Sequence, residues 1–396
     1  MNNKANSHAN VRTNRGANMD LLIGSGLAAF TIYAAAKWNK SDKEKIQHTF
    51  RNLNYKLKDK EPKNLKTYRT DQYTLYTYHV PYGLVDDEKL QVLEKVLDKP
   101  VKVFFAKGKL HIKVYKQKLS TKYPYDLFTP KGNWTIPVGM SQDGLIYHDF
   151  DQIPHMTVAG ATTQGKTQFM KMFVTHLIEN NPEGVEFYIL DLKGKLAFNK
   201  YRNLKQVKAV VGNYRDSAKT LKQVKKSIQK DMDYLLSIEA ENAKEGNIRT
   251  RKFIIVDEAG ELQTNKYMSD TDKESIKQCH QVLSHIARVA GQLRYSLIFG
   301  TQYPTKEILD SQIKANSLAK VSFRLSTAVQ SGVALDQTGA EKLDHVGRAI
   351  YKTVEEHIVQ TPFISKKDIW QRIGRYNDVS PTAKTTERRT DTVEFG

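Results

Sequence analysis

Residues 160–167, Gly-Ala-Thr-Thr-Gln-Gly-Lys-Thr, constrain the fold of this chain more than any other stretch. They fit the full G-x-x-x-x-G-K-[ST] phosphate-loop pattern, and the flanks agree with it. Met156, Val158 and Ala159 lead in as an apolar strand, and Phe169 to Phe173 follow without a breaker. A strand that stops at a glycine loop and restarts as a helix aims backbone N–H groups and a helix N-terminus at one point, which suits phosphate oxygens. Glycine lets that loop approach its ligand closely. The pattern assigns ATP binding to Gly160, Ala161, Thr162, Thr163, Gln164, Gly165, Lys166 and Thr167. Lys166 is expected to reach the β- and γ-phosphates, and Thr167 Oγ to ligate Mg²⁺.

A second element agrees. Arg251-Lys252-Phe253-Ile254-Ile255-Val256-Asp257-Glu258 is an apolar strand ending in two acids, the Walker B arrangement. Asp257 is expected in the Mg²⁺ shell. Glu258, one residue on, stands where it can polarise water for attack on the γ-phosphate. A lone acid would indicate nucleotide binding; the added glutamate indicates turnover.

At 396 residues the chain has room for one ATPase core and one or two smaller pieces. Its net charge of +19 favours a polyanionic partner or an anionic membrane surface. The single cysteine, Cys279, excludes an intrachain disulfide, and the histidines form no zinc-binding spacing.

Residues 1–18 are polar and read as a disordered tail. Residues 21–36 are uncharged, with Trp38 beyond them. At 1.5 Å per residue they rise roughly 24 Å, and extending the segment to 19–38 brings it near the length of a membrane span. The lysines that follow put the remainder of the chain on the cytoplasmic side. A single-pass cell-membrane protein is therefore expected, with an interfacial or a buried helix as alternatives.

Lysine-rich residues 39–66 read as a linker able to touch anionic lipid or nucleic acid, or as a plain solvated helix face. Residues 67–118 read as a small α+β adaptor. It has alternating strands at 73–80, 101–105 and 110–115 and a helix at 86–97. Its tyrosines suit either packing or a nucleic-acid platform. The motor is expected over 120–365 and a C-terminal tail over 366–396, polar, charged and flexible beyond about 375. Strands ending at Gly160, Asp191, Asp257 and Thr301 alternate with helices. That predicts an α/β fold with a mostly parallel sheet and its ligand at the strand C-termini.

Together these residues resemble the FtsK/SpoIIIE family of hexameric DNA translocases. The likeness covers roughly residues 134–365. It rests on Ile153 to Gly160 ahead of the phosphate loop, Ile189-Leu190-Asp191-Leu192-Lys193-Gly194, Ile286 to Gly291, and Gly300-Thr301-Gln302-Tyr303-Pro304. Ile313 to Asn316, Phe323 to Ser326 and Leu335 to Leu343 complete it. The resemblance implies a RecA-like P-loop NTPase core that couples ATP hydrolysis to DNA movement in a homohexameric ring. Two departures stand out: Thr163 and Gln164 where the family usually has serine and glycine, and Tyr303 where arginine often follows Thr-Gln.

Chromosome-segregation members typically carry a multi-span membrane domain and a C-terminal winged helix. One apolar segment and a small adaptor resemble instead the motors of Gram-positive conjugative elements, which couple relaxase-bound DNA to a type IV secretion channel. A partition translocase and a protein-secretion motor of the type VII kind are the alternative readings.

The resemblance places Thr301 and Gln302 at the γ-phosphate sensor. It makes Arg324 the candidate arginine finger acting in trans, with Arg288 as runner-up. His155 reads either as lining the base pocket or as a packed histidine. Lys193, Lys195 and Lys200 are candidates for a loop facing DNA.

Overall fold

The computed structural model describes residues 40–84, 88–132, 134–194 and 196–377, which fall into two compact units divided after Lys118. The apolar segment 19–38 and the last nineteen residues lie outside the described residues. Among those described, no helix is long and apolar enough to cross a membrane.

In the N-terminal unit, helix α1 (Asp42–Asn52) starts at a capping box, where Ser41 and Glu44 satisfy each other's backbone N–H groups. Strands β1 (Lys63–Arg69) and β2 (Tyr73–His79), helix α2 (Val92–Leu97), and strands β3 (Val101–Ala106) and β4 (Lys109–Tyr115) follow. The four strands form an antiparallel sheet in the order β1-β2-β4-β3. Ile46 and Phe50 of α1 and Leu93 and Leu97 of α2 bury one sheet face with Tyr76, Tyr78, Leu110, Ile112 and Val114. The lysine-rich segment read as a linker therefore contains a packed helix and an edge strand. Its apolar positions are few but fall on one helical stripe, and the sheet supplies the surface they need.

The second unit is built on a ten-stranded sheet. After the short strand β5 (Tyr123–Pro124), the chain forms the hairpin β6 (Thr135–Ser141) and β7 (Gly144–Asp149). Strand β8 (Met156–Ala159) runs into the phosphate loop and helix α3 (Lys166–Asn180). Then come β9 (Val185–Leu190), β10 (Val207–Val211), α4 (Tyr214–Ser237), β11 (Arg251–Val256), α5 (Asp270–Val289) and β12 (Tyr295–Thr301). The unit closes with α6 (Ser311–Asn316), β13 (Ala319–Phe323), α7 (Ala328–Leu335), β14 (Arg348–Lys352), β15 (Glu356–Gln360), β16 (Pro362–Phe363) and α8 (Lys366–Ile373).

The sheet order is β10-β9-β11-β12-β8-β13-β14-β15-β6-β7. The first six strands are parallel, and the other four continue the sheet antiparallel. The 135–149 hairpin is thus the far edge of the same sheet. Helix α8, in the segment assigned to the C-terminal tail, is a folded element of the unit. Ser365 and Asp368 form its capping box, and Ile369 and Ile373 enter the core.

Alternate residues of the central strands feed two cores, as a pleated strand buried on both faces requires. Phe187, Ile189, Phe253 and Ile255 face α3 on one side, and Leu190, Ile254, Val256 and Phe299 face α4 and α5 on the other. Phe253 is the centre of the first core. Its ring lies 5.1 Å from Phe150, 5.3 Å from Phe173 and 5.6 Å from Phe187. Two of these contacts are edge-on, the preferred arrangement for aromatic pairs. Phe253→Ala is expected to cost about 3–5 kcal/mol by opening a cavity between three rings, read as a fall in the urea midpoint with an unchanged slope.

Candidate active site

Strand β12 lies between β8, which carries the phosphate loop, and β11, which carries the acids. Three strand C-termini therefore converge, and residues distant in sequence share one pocket. Backbone pairing fixes the loop at its root: Gly160 N–H donates to Thr301 O at 3.2 Å, and Ala161 N–H to Arg324 O at 2.9 Å. Farther round, Gln164 O accepts the Gly347 N–H at 2.9 Å, which ties the loop to the start of β14.

Gly165 has φ +120°, and an added Cβ would stand 3.0 Å from the Phe323 ring and 3.2 Å from Gly347 Cα. Only glycine fits there without strain. Thr163 takes the left-handed conformation at φ 66°. Helix α3 begins at Gly165 with no side-chain cap, which leaves its first N–H groups to the loop. This cradle of backbone donors with a helix N-terminus behind it fits a phosphate chain.

The charged groups lie beneath it. Lys166 is buried, with Nζ 2.9 Å from Asp257 Oδ1. It also donates to the Asp257 carbonyl. Thr167 Oγ1 is 3.4 Å from the same Asp257 oxygen, so the hydroxyl and carboxylate assigned to Mg²⁺ are adjacent and fit a shared metal shell. Glu258 is also buried. Its Oε1 accepts from Thr301 Oγ1 at 3.2 Å, and the Gln302 N–H donates to Oε1 at 3.0 Å and Oε2 at 3.1 Å. Gln302 Oε1 in turn accepts from Thr162 Oγ1 at 2.9 Å, closing a path from the Glu258 carboxylate to the phosphate loop. The structure thus brings Thr301 and Gln302 against both the loop and the acid.

Two contacts go beyond what the sequence indicated. Lys193, read as facing DNA, has Nζ 3.6 Å from Glu258 Oε2. Asp191, at the end of β9, accepts the N–H groups of Ala197 and Phe198, each at 2.9 Å, and so folds the loop that carries Lys193. Burial raises the Asp191 pKa, and those N–H groups oppose the shift. The only sequence signal for this pair was the Leu190-Asp191-Leu192-Lys193-Gly194 match. Lys200 rests on the Trp370 ring at 4.1 Å, and Lys195 lies outside the described residues.

His155 does not line a nucleotide pocket. It precedes β8 at the end opposite the phosphate loop, where Nδ1 accepts the Leu297 N–H at 3.0 Å and burial pushes its pKa down to about 4. It is a neutral core histidine. Arg324 is exposed directly after β13, beside the phosphate loop of its own chain, and Arg288 is exposed in the last turn of α5.

These groups define a P-loop ATPase. The FtsK/SpoIIIE family matches residues 121–302, and the chain is similar to that family over this stretch. It is 28% identical to the DNA translocase FtsK of Streptococcus pneumoniae over 59% of this chain and 32% of that protein. With FtsK of Lactiplantibacillus plantarum the identity is 27% over 72% of this chain and 38% of that one. The chain spans about a third of the length of these relatives.

Among solved structures, the pCW3 conjugation coupling protein TcpA superposes with a TM-score of 0.62 at 20% identity, covering 83% of this chain and 96% of TcpA. That share exceeds the second unit alone. ATPases 2 and 3 of EssC from Geobacillus thermodenitrificans superpose at 0.54 with 14% identity, over 66% of this chain and 51% of that one.

Lys166→Ala is expected to lower ATP turnover by at least about 10²-fold, since it removes the buried cation that lies beneath the phosphate loop. Glu258→Gln is expected to slow turnover by about 10²–10⁴-fold while ATP affinity changes little. Steady-state hydrolysis and equilibrium binding of a fluorescent ATP analogue check both.

Proposed function

We propose that this protein is an ATP-driven DNA translocase acting as a membrane-associated coupling protein, which delivers DNA to a conjugative type IV secretion channel. The observation that supports it best is the pairing of an intact hydrolytic site with a fold likeness that takes in nearly all of a conjugation coupling protein. The net charge of +19 suits a polyanionic cargo.

The side chains divide the chemistry among themselves. Backbone N–H groups of the phosphate loop and Lys166 bind and orient the β- and γ-phosphates of ATP. Thr167 and Asp257 would hold Mg²⁺, which when bound balances charge on those phosphates. Glu258 takes the proton of the attacking water. Thr301 and the Gln302 N–H aim its carboxylate, and Gln302 links it to Thr162 of the loop. Arrival and loss of the γ-phosphate therefore act on the end of β12, which can pass the change to a neighbouring subunit. Basic loops would track the DNA backbone without reading bases, so specificity would come from a relaxase or relaxosome.

Duplex DNA is expected to stimulate steady-state ATPase activity several-fold. Stimulation by a secretion-signal peptide and not by DNA would favour the type VII reading, and activity indifferent to both would refute translocation.

Hexamers would place each site at a subunit boundary, with Arg324 entering the neighbour's site. Mixing Arg324→Ala with Lys166→Ala subunits is then expected to restore part of the activity that each pure ring lacks, because some boundaries combine an intact loop with an intact arginine. Full activity in pure Arg324→Ala rings would move the role to Arg288.

Residues 19–38 would anchor the protein, with the ATPase in the cytoplasm. After a high-salt wash of membranes the protein is expected to stay in the pellet. Release by salt alone would make it peripheral.

A further inference from the structure

Both α-helices described in the N-terminal unit pack on one face of its sheet. No helix of this unit covers the other face among the described residues. Its composition is unusual: strands β1 to β4 contain no aspartate or glutamate. Register assigns the side chains. Tyr76 and Tyr78 are buried on the helix side, so Thr77 and its cross-strand partners Lys66 and His111 stand on the open side. Lys63 and Lys109 both pair with His79 on that side, and Tyr68 pairs with Leu75.

The open side thus alternates lysines with flat rings. Lys63, Lys66 and Lys109 are exposed, and Tyr68 is 53% exposed. The rings are held in place. Phe104 stacks on His111 with centroids 5.1 Å apart and planes 13° from parallel. His111 itself is fixed by Thr77 Oγ1 at 3.2 Å on Nδ1 and Ala106 O at 3.3 Å on Nε2. Lys113 Nζ lies 3.9 Å over the Tyr73 ring.

We propose that the helix-free face of this sheet binds single-stranded nucleic acid, through base stacking on Tyr68 and Phe104 and phosphate contacts to Lys63, Lys66 and Lys109. Charge selects a polyanion. Neighbouring strands lie about 4.8 Å apart, which sets rings and cations at a spacing a splayed-out chain of nucleotides can follow. A duplex offers no free base faces to such a surface, and an anionic bilayer would use the lysines but gain nothing from pre-set rings. None of these residues belongs to the ATP site, and the proposal does not depend on the motor reading.

The test uses the full chain, without nucleotide, and a fluorescein-labelled twenty-residue oligo-dT. Lys66→Glu/Lys109→Glu is expected to weaken binding about ten-fold and to flatten the log-affinity against log-salt slope by about 1.4. Tyr68→Ala is expected to weaken it several-fold and Tyr68→Phe to leave it unchanged, since phenylalanine keeps the stacking ring. A 5-iododeoxyuridine oligonucleotide is expected to photocrosslink within residues 63–115. DNA-independent ATP turnover serves as the folding control, because none of these residues belongs to the ATP site.

Unchanged oligo-dT affinity in the charge-reversed variant, or crosslinks confined to the second unit, would overturn the proposal. So would equal loss of duplex and oligo-dT binding with no effect of Tyr68→Ala. Loss of phosphatidylglycerol-vesicle binding with oligo-dT binding intact would assign the face to lipid instead. If DNA fails to stimulate the ATPase but these variants still lose oligo-dT, the motor reading fails and this one stands.

Discussion

The active site depends on the insertion of β12 between the strand of the phosphate loop and the strand of the acids. Parallel pairing of β12 with both neighbours sets Thr301 and Gln302 between Thr162 on one side and Glu258 on the other. The approach is close. A Cβ on Gly300 would meet the Val256 and Asp257 carbonyls at 2.7 and 2.9 Å, so the strands pack with no room for a side chain at that point. The positions of the loop, of Thr167 and Asp257, and of Glu258 all follow from these backbone ladders.

Buried charge in this region is arranged so that no member stands alone. Lys166 meets Asp257, and Glu258 meets Thr301, Gln302 and Lys193. Leaving any one of these unpaired in the interior would cost several kcal/mol. The network is therefore one that a phosphate can enter only by taking over bonds already made.

Much of this was legible in the sequence because it is local. The phosphate loop, the two acids after an apolar strand, and the strand end at Thr301 each carry their signal within about ten residues. What escaped depended on partners far along the chain. Helix α1 has only Ile46, Thr49 and Phe50 on its buried stripe, diluted by lysines, and α8 is short. Both are fixed by surfaces they pack on. The Lys193–Glu258 contact requires the strand order, which no local pattern states. His155 was ambiguous because adjacency in sequence was weighed as adjacency in space. A four-residue strand separates it from Gly160 by roughly 15 Å and puts it at the other end of the sheet.

Helix α3 extends from the phosphate loop for fifteen residues, or roughly 22 Å, and its far end is gripped as firmly as its near one. Tyr125 OH reaches His176 Nδ1 at 2.7 Å and Glu179 Oε2 at 3.1 Å, and Arg372 of α8 holds Glu179 Oε1 at 2.8 Å while also reaching Asp126. A rod clamped at both ends does not absorb a push by bending. Helix α3 thus ties the phosphate loop to α8 on the far side of the unit through a continuous run of hydrogen bonds.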